Sequence, residues 1–140
     1  MKIVFTNGCF DLIHPGHIEL LEKASQYGDT LVVGINSDES VRSIKGEGRP
    51  ILSQEDRVTI LRSIIYVDEI RIFDNLTPIE LIKEIEPNVL VKGGDWPVDQ
   101  IVGADFVKSY GGEVYSIPLK IGYSTTDIIK KIQRIYNEKV

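Results

Sequence analysis

Scarcity is the first thing this 140-residue sequence offers: one cysteine, one methionine, one tryptophan and two histidines. The lone cysteine, Cys9, excludes an internal disulfide and gives no sign of an oxidising compartment. No apolar run approaches membrane-spanning length, and the opening MKIVFTNG lacks the apolar stretch of a signal peptide. A cytoplasmic protein with no membrane partner is the expectation. Basic residues number 16 against 21 acidic ones, for a formal net charge of −5. That deficit argues against a nucleic-acid partner, which calls for a basic surface. A small anionic ligand stays open, because a few placed donors can hold it against the net charge.

What is present is ordinary for a globular protein, with 42% hydrophobic and 26% charged residues. The length suits one domain over residues 1–140 with a real core. β-Branched runs predict strands at residues 2–6, 30–36, 68–73, 88–92 and 113–117. Helical spacing predicts a helix over 16–27 that buries Ile18, Leu21 and Ala24. A second opens at Ser53 and runs to about residue 65, with Val58, Leu61 and Ile65 on one face. Thr77, Pro78 and Glu80 form a capping-box signal for a third helix. Two more follow, over 104–110 and over 125–137, the last burying Ile128, Ile132 and Ile135.

Strands alternating with helices imply a Rossmann-like, doubly wound α/β fold: a parallel five-stranded sheet with helices on both faces. In such a sheet, ligands bind beyond the carboxyl ends of the strands, near the switch in strand order. The loops expected there are 7–15, 37 onward, 93–97 and 118–124. They also hold the unusual residues.

Both histidines, His14 and His17, fall in the first of these loops, GCFDLIHPGH at residues 8–17. Gly8 and Gly16 bracket it, permitting tight turns and close backbone approach. A helix starting near Gly16 aims free N–H groups and a positive dipole end at the loop mouth, where two imidazoles three residues apart can donate to phosphate oxygens. The plain alternative is a pair of turn histidines; a metal site lacks further histidine or cysteine ligands. Confinement of both histidines to one Gly-bracketed turn favours phosphate.

GCFDLIHPGH resembles the signature of the cytidylyltransferase-like nucleotidyltransferases, whose HxGH element is related to the HIGH motif of class I aminoacyl-tRNA synthetases. The resemblance implies the HIGH-type nucleotidyltransferase fold, with ATP as substrate and Mg²⁺ carried on it. His14, His17 and Lys45 become the expected catalytic residues. Thr6, Asn7, Gly8, Cys9, Phe10 and Gly16 become expected nucleotide contacts, with no thiolate chemistry asked of Cys9. In KIGYSTTDII (residues 120–129), Gly122 precedes Ser124, Thr125 and Thr126, one hydroxyl run beyond what an N-cap needs. The family carries an STT-type element there, but departs from this chain at Ile129, where it often has a basic residue.

RSIKGEGRP (residues 42–50) reads as a Gly-rich loop offering Lys45 and Arg49, against the alternative of a plain solvated loop. VKGGDWP (residues 91–97) offers Gly93, Asp95 and Lys92. Trp96 divides evenly between edge packing and a ligand wall, and Asp11 between a turn residue and a substrate contact. Arg49, Lys92, Asp11 and Trp96 form the expected acceptor side; metal ligands are left unassigned.

NGCFDLIHPGH, KGEGRP, VKGGD and STTDII together resemble the adenylyltransferases that convert a heptose 1-phosphate to an ADP-heptose. The alternative branch, glycerol-3-phosphate cytidylyltransferase, shares the histidine motif, a Gly-Asp-Trp-like segment and YVDE at residues 66–69. It expects an arginine before its GIST segment, where this chain has Leu119-Lys120-Ile121-Gly122. A non-catalytic nucleotide-binding module is the rival from another class, and the loop lysines argue against it. The resemblance also implies a homodimer.

Overall fold

The computed structural model describes residues 1–138. In chain order the elements are β1 (Ile3–Gly8), α1 (Pro15–Ser25), β2 (Thr30–Asn36), α2 (Asp38–Lys45), α3 (Gln54–Arg62) and β3 (Glu69–Phe73). After them come α4 (Ile79–Ile85), β4 (Val89–Gly93), a 3₁₀ turn at Val98–Gln100, α5 (Ala104–Ser109), β5 (Glu113–Ile117) and α6 (Thr125–Glu138). All five strands pair in parallel, in the order β3-β2-β1-β4-β5. The doubly wound parallel sheet read from the alternation is therefore the fold.

The strands are buried on both faces, so their side chains divide between two cores. Val4, Val33, Ile35, Val89 and Val91 pack with Leu20, Leu21 and Ala24 of α1 and Leu61 of α3. Phe5, Val32, Leu90 and Val114 pack with Leu81 and Ile82 of α4 and Ala104 and Val107 of α5. Strand order explains this split, since β1 leads to β2 in one direction and β4 leads to β5 in the other, and parallel crossovers keep one hand. The order reverses between β1 and β4, which opens a crevice above their carboxyl ends.

Five local expectations need correction. Residues 42–45 are the last turn of α2, leaving only 46–50 as loop. Ser37 caps this helix by accepting from Ser40 N, and Asp38 and Glu39 complement its dipole. Its eight residues bury only Ser40 and Val41, too few to write a helical period. The third predicted helix starts one residue late: Pro78 is the N-cap of α4 and no side chain caps it. Thr77 is thereby one position short of the orphan N–H groups. In α1, Leu20 is buried and Ile18 only half-buried. Ile65 lies beyond α3 at 86% exposure, and in α6 Ile132 and Ile135 are 47% and 38% exposed. Helical spacing reports that a stripe exists, not that a neighbour covers it.

Candidate active site

The β1–α1 turn is built around a residue in an uncommon conformation. Phe10 has φ +49°, the left-handed region that side chains rarely adopt. This turns its ring inward, where it is 3% exposed and lies 5.2 Å from the His17 ring. Gly8 makes room, since a Cβ there would stand 3.0 Å from the Phe10 ring. Backbone strain of this kind persists only where surrounding packing fixes it, and it gathers at functional sites.

His14 is the N-cap of α1, and its Nδ1 accepts from Gly16 N at 3.1 Å. His17, at N3, accepts on its own Nδ1 from His14 N at 3.2 Å. The two imidazoles thus form a capping box, a role normally filled by hydroxyl and carboxylate side chains. Their rings stack at 3.9 Å. An Nδ1 that accepts carries no proton, so in neutral imidazole the proton sits on Nε2. The caps therefore set both tautomers, and each histidine presents an Nε2–H donor. Burial lowers the His17 pKa to about 4, with the neighbouring His14 adding to the effect, and burial also lowers that of His14. At neutral pH in the free protein these are uncharged donors.

A cavity of about 610 Å³ opens above this turn. It collects Asn7, Gly8, Cys9, Phe10, Asp11, His14, Gly16 and His17 from the β1 side and Lys45 and Arg49 from the β2 side. Lys92 and Trp96 come from β4 and its loop, and Ser124, Thr125 and Thr126 from the start of α6. Thr6, Gly93, Asp95 and Gly122 fall outside that lining; Thr6 is wholly buried within β1. Among the described residues, four cations, Lys45, Arg49, Lys92 and Lys120, line the cavity against one carboxylate, Asp11. Its local sign is opposite to that of the whole chain.

The Asp11 carboxylate is already engaged. It takes Arg49 Nε at 3.0 Å and the backbone N–H groups of Ile51 and Leu52 at 2.9 Å. Its position is 2% exposed, so its bonds shape the loop after α2. Lys92 is half-buried, and desolvation lowers its ammonium pKa while nearby Cys9 opposes the shift. Burial raises the Cys9 thiol pKa above its ordinary value, consistent with a packing role. At the α6 start, Ser124 Oγ accepts from Asp127 N at 3.0 Å, a plain N-cap. Thr125 Oγ1 donates to Leu12 O at 3.2 Å, fastening α6 to the histidine loop. Ser116 Oγ donates to Gly94 O and accepts from Trp96 N, holding the loop after β4.

The cytidylyltransferase-like family profile matches residues 5–131. The chain belongs to that family. It is 53% identical over 138 residues to the bifunctional protein HldE of Geobacter metallireducens, covering 99% of this chain and 28% of that protein. It is 55% identical over 130 residues to the HldE of Koribacter versatilis, covering 93% and 27%. The chain thus spans little more than a quarter of the length of these curated relatives. The fold is shared with the crystal structure of a lipopolysaccharide core biosynthesis protein from Thermoplasma volcanium. That match has a TM-score of 0.68 and 24% identity over 86% of this chain and 97% of that one.

Three residues of this family member escaped sequence reasoning. Arg57 is fully buried and donates to Cys9 O, Asn36 O, Leu52 O and the Asp38 carboxylate. An arginine in a helix pattern reads as solvated, and only its place one turn after the Ser53 cap hinted otherwise. Lys120 and Tyr123 line the cavity from the loop after β5. Their position on the binding edge was legible; their side chains' direction was not.

Proposed function

We propose that this chain transfers AMP from ATP to a sugar 1-phosphate, D-glycero-β-D-manno-heptose 1-phosphate, releasing pyrophosphate and ADP-heptose. The carrying observation is the pair of capped, neutral imidazoles facing a cation-lined cavity at the switch in strand order. The heptose acceptor rests on the resemblance of NGCFDLIHPGH, KGEGRP, VKGGD and STTDII, and on relatives named bifunctional protein HldE. ADP-heptose of this kind serves lipopolysaccharide or surface-glycan synthesis.

The acceptor phosphate is largely ionised at neutral pH, since a phosphate monoester has a second pKa of about 6. Its oxygen attacks the α-phosphorus in line as the bond to pyrophosphate breaks, and no side chain has to remove a proton. Catalysis then reduces to alignment and to donors placed where negative charge grows. His14 and His17 supply Nε2–H donors, joined by backbone N–H groups around Gly8 and Phe10. Lys45, exposed at the end of α2, draws the triphosphate into line. Arg49, shaped by Asp11, and the half-buried Lys92 receive the acceptor phosphate.

Mg²⁺ arrives as part of the substrate. Among the described residues no group of three or more histidine, cysteine or acidic side chains gathers as a metal cage. The Asp11 carboxylate on the cavity is committed to Arg49 and two backbone groups. That donor set fits an ion held chiefly by triphosphate oxygens and water. A homodimer, tested by gel filtration with light scattering, is part of the same reading.

Pyrophosphate release decides the assignment. ATP with heptose 1-phosphate should give the highest kcat/KM in a panel of nucleotides and phosphorylated acceptors. CTP with glycerol 3-phosphate winning would move the chain to the other branch, and no turnover with any pair would leave a nucleotide-binding module.

A further inference from the structure

Tyr123 has no part in the mechanism above, yet it touches the centre of it. Its ring lies 6.1 Å from that of His14, inclined by only 22°. His14 therefore has two near-parallel ring neighbours, Tyr123 and, at 3.9 Å, His17. The Lys120 ammonium stands 5.7 Å from the Tyr123 ring centre, adding a cation to the same stack. The approach is close on the backbone side as well: a Cβ on Gly16 would come within 3.2 Å of Tyr123 Cβ. Just beyond Tyr123, the Thr125 hydroxyl ties the chain to Leu12 O. Tyr123 is thus held against the first turn of α1 by its neighbours, although its side chain is 40% exposed.

The His14 ring needs such help. Its one hydrogen bond, from Gly16 N to Nδ1, fixes a point on the ring but not the tilt of its plane. The Nε2–H at the far side swings with that tilt. Flat neighbours at aromatic-pair distances resist the rotation through offset stacking. A donor displaced by about 1 Å from the reacting group can cost on the order of 100-fold in rate.

We infer that Tyr123 is a positioning residue, stacked on His14 so that the Nε2–H of His14 points steadily into the cavity. The inference rests on the proposed role of His14 as a phosphate donor. It requires the ring of Tyr123 and not its hydroxyl, so Tyr123→Phe and Tyr123→Ala separate the two.

The test combines steady-state kinetics, using ATP and heptose 1-phosphate, with proton NMR of the histidine Hε1 signals in the ligand-free protein. Two histidines make those signals simple to assign. Tyr123→Ala should lower kcat about tenfold, near the upper end of what one aromatic pair contributes. KM for ATP should stay within about twofold of the parent value, because a tilted donor harms the transition state more than the ground state. The His14 signal should shift as the neighbouring ring current is lost, and Tyr123→Phe should restore both kcat and the signal. An unchanged kcat in Tyr123→Ala, an unmoved His14 signal, or a Phe variant as impaired as the Ala variant would each overturn the inference. His14→Ala run in parallel separates the two levels. If it keeps its rate, the functional reading falls and this inference with it. If it is slowed while Tyr123→Ala is not, only the positioning role is lost.

Discussion

Arg57 Nη2 lies 2.8 Å from Asp38 Oδ1, and the guanidinium that makes this pair is wholly buried. The same group donates through Nη1 to Cys9 O at 2.8 Å and to Asn36 O at 2.7 Å, and through Nε to Leu52 O at 3.2 Å. One side chain thereby ties the carboxyl ends of β1 and β2 to the start of α2 and to the loop before α3. These are the segments that carry the histidine turn and Lys45. Fold stability and site geometry meet in this residue.

Arg57→Met should lower unfolding free energy by about 3–5 kcal/mol, because three carbonyl oxygens lose their donor and each buried acceptor left unsatisfied costs about 1–3 kcal/mol. Asp38→Asn should cost only about 1–2 kcal/mol, because Asp38 is 31% exposed and the guanidinium keeps its carbonyl acceptors. Urea denaturation of both variants checks the order. Equal losses would mean that the carboxylate, rather than the three carbonyls, carries the network.

Asp11 makes a similar argument on the other side of the cavity. Its carboxylate gathers Arg49 and the N–H groups of Ile51 and Leu52, so it sets the course of residues 46–52. Asp11→Asn should raise KM for the acceptor by on the order of tenfold, about 1.5 kcal/mol, the lower end of what a hydrogen bond to a charged group contributes. It should also speed proteolysis within residues 46–48. KM for ATP should move less. A rise confined to ATP would place Asp11 and Arg49 on the nucleotide side.

Most of the sheet was legible because its strands are short β-branched runs that write themselves plainly. The segments at residues 30–36 and 113–117 fall where β2 and β5 lie. The histidine turn was legible because rarity marked it: both histidines of the chain lie in one loop. What could not be read depends on contacts made across the fold. Arg57 looks like any surface arginine until β1 and β2 bring two carbonyls to it. Helix α2 buries too little to show a period, although Ser37, Asp38 and Glu39 were a start signal in plain view. The Thr77 cap failed because Pro78 took the N-cap position itself. The sequence pattern of Asp11 fits a turn residue or a substrate contact, and the hydroxyl run at Ser124 favours a ligand contact over a simple cap. Distances show the bonds each makes inside the protein.

Gly16 leaves no room for a side chain. A Cβ there would stand 2.8 Å from His14 Cε1, 3.0 Å from His14 Nδ1 and 3.2 Å from Tyr123 Cβ. Something must give, and the His14 ring is the movable part. Gly16→Ala should therefore reduce kcat by on the order of 100-fold while costing only about 1–3 kcal/mol of stability. Single-turnover rates with saturating substrates, alongside thermal unfolding, check this. A folded variant with a parental rate would show that the His14 ring position is not critical.

The histidine caps also predict how the protein answers acid. Unfolded His17 titrates near 6.5, whereas burial and the adjacent His14 bring the folded value to about 4. Between those values the unfolded chain binds the extra proton, so unfolding gains ground as pH falls. The stability that His17 contributes is complete above about pH 6.5 and drains away as pH drops toward 4. His14 acts in the same direction, its pKa also being lowered by burial. Protonation of either Nδ1 would set two donors against each other at the cap, so acid should loosen the first turn of α1 together with the site. NMR titration should place both histidine midpoints below 6.5, with His17 near 4. Urea midpoints should fall between pH 7.5 and 5.0, and fall less in His17→Gln. A His17 midpoint near 6.5 would mean that the cap opens in solution, and the assignment of both rings as fixed neutral donors would fail with it.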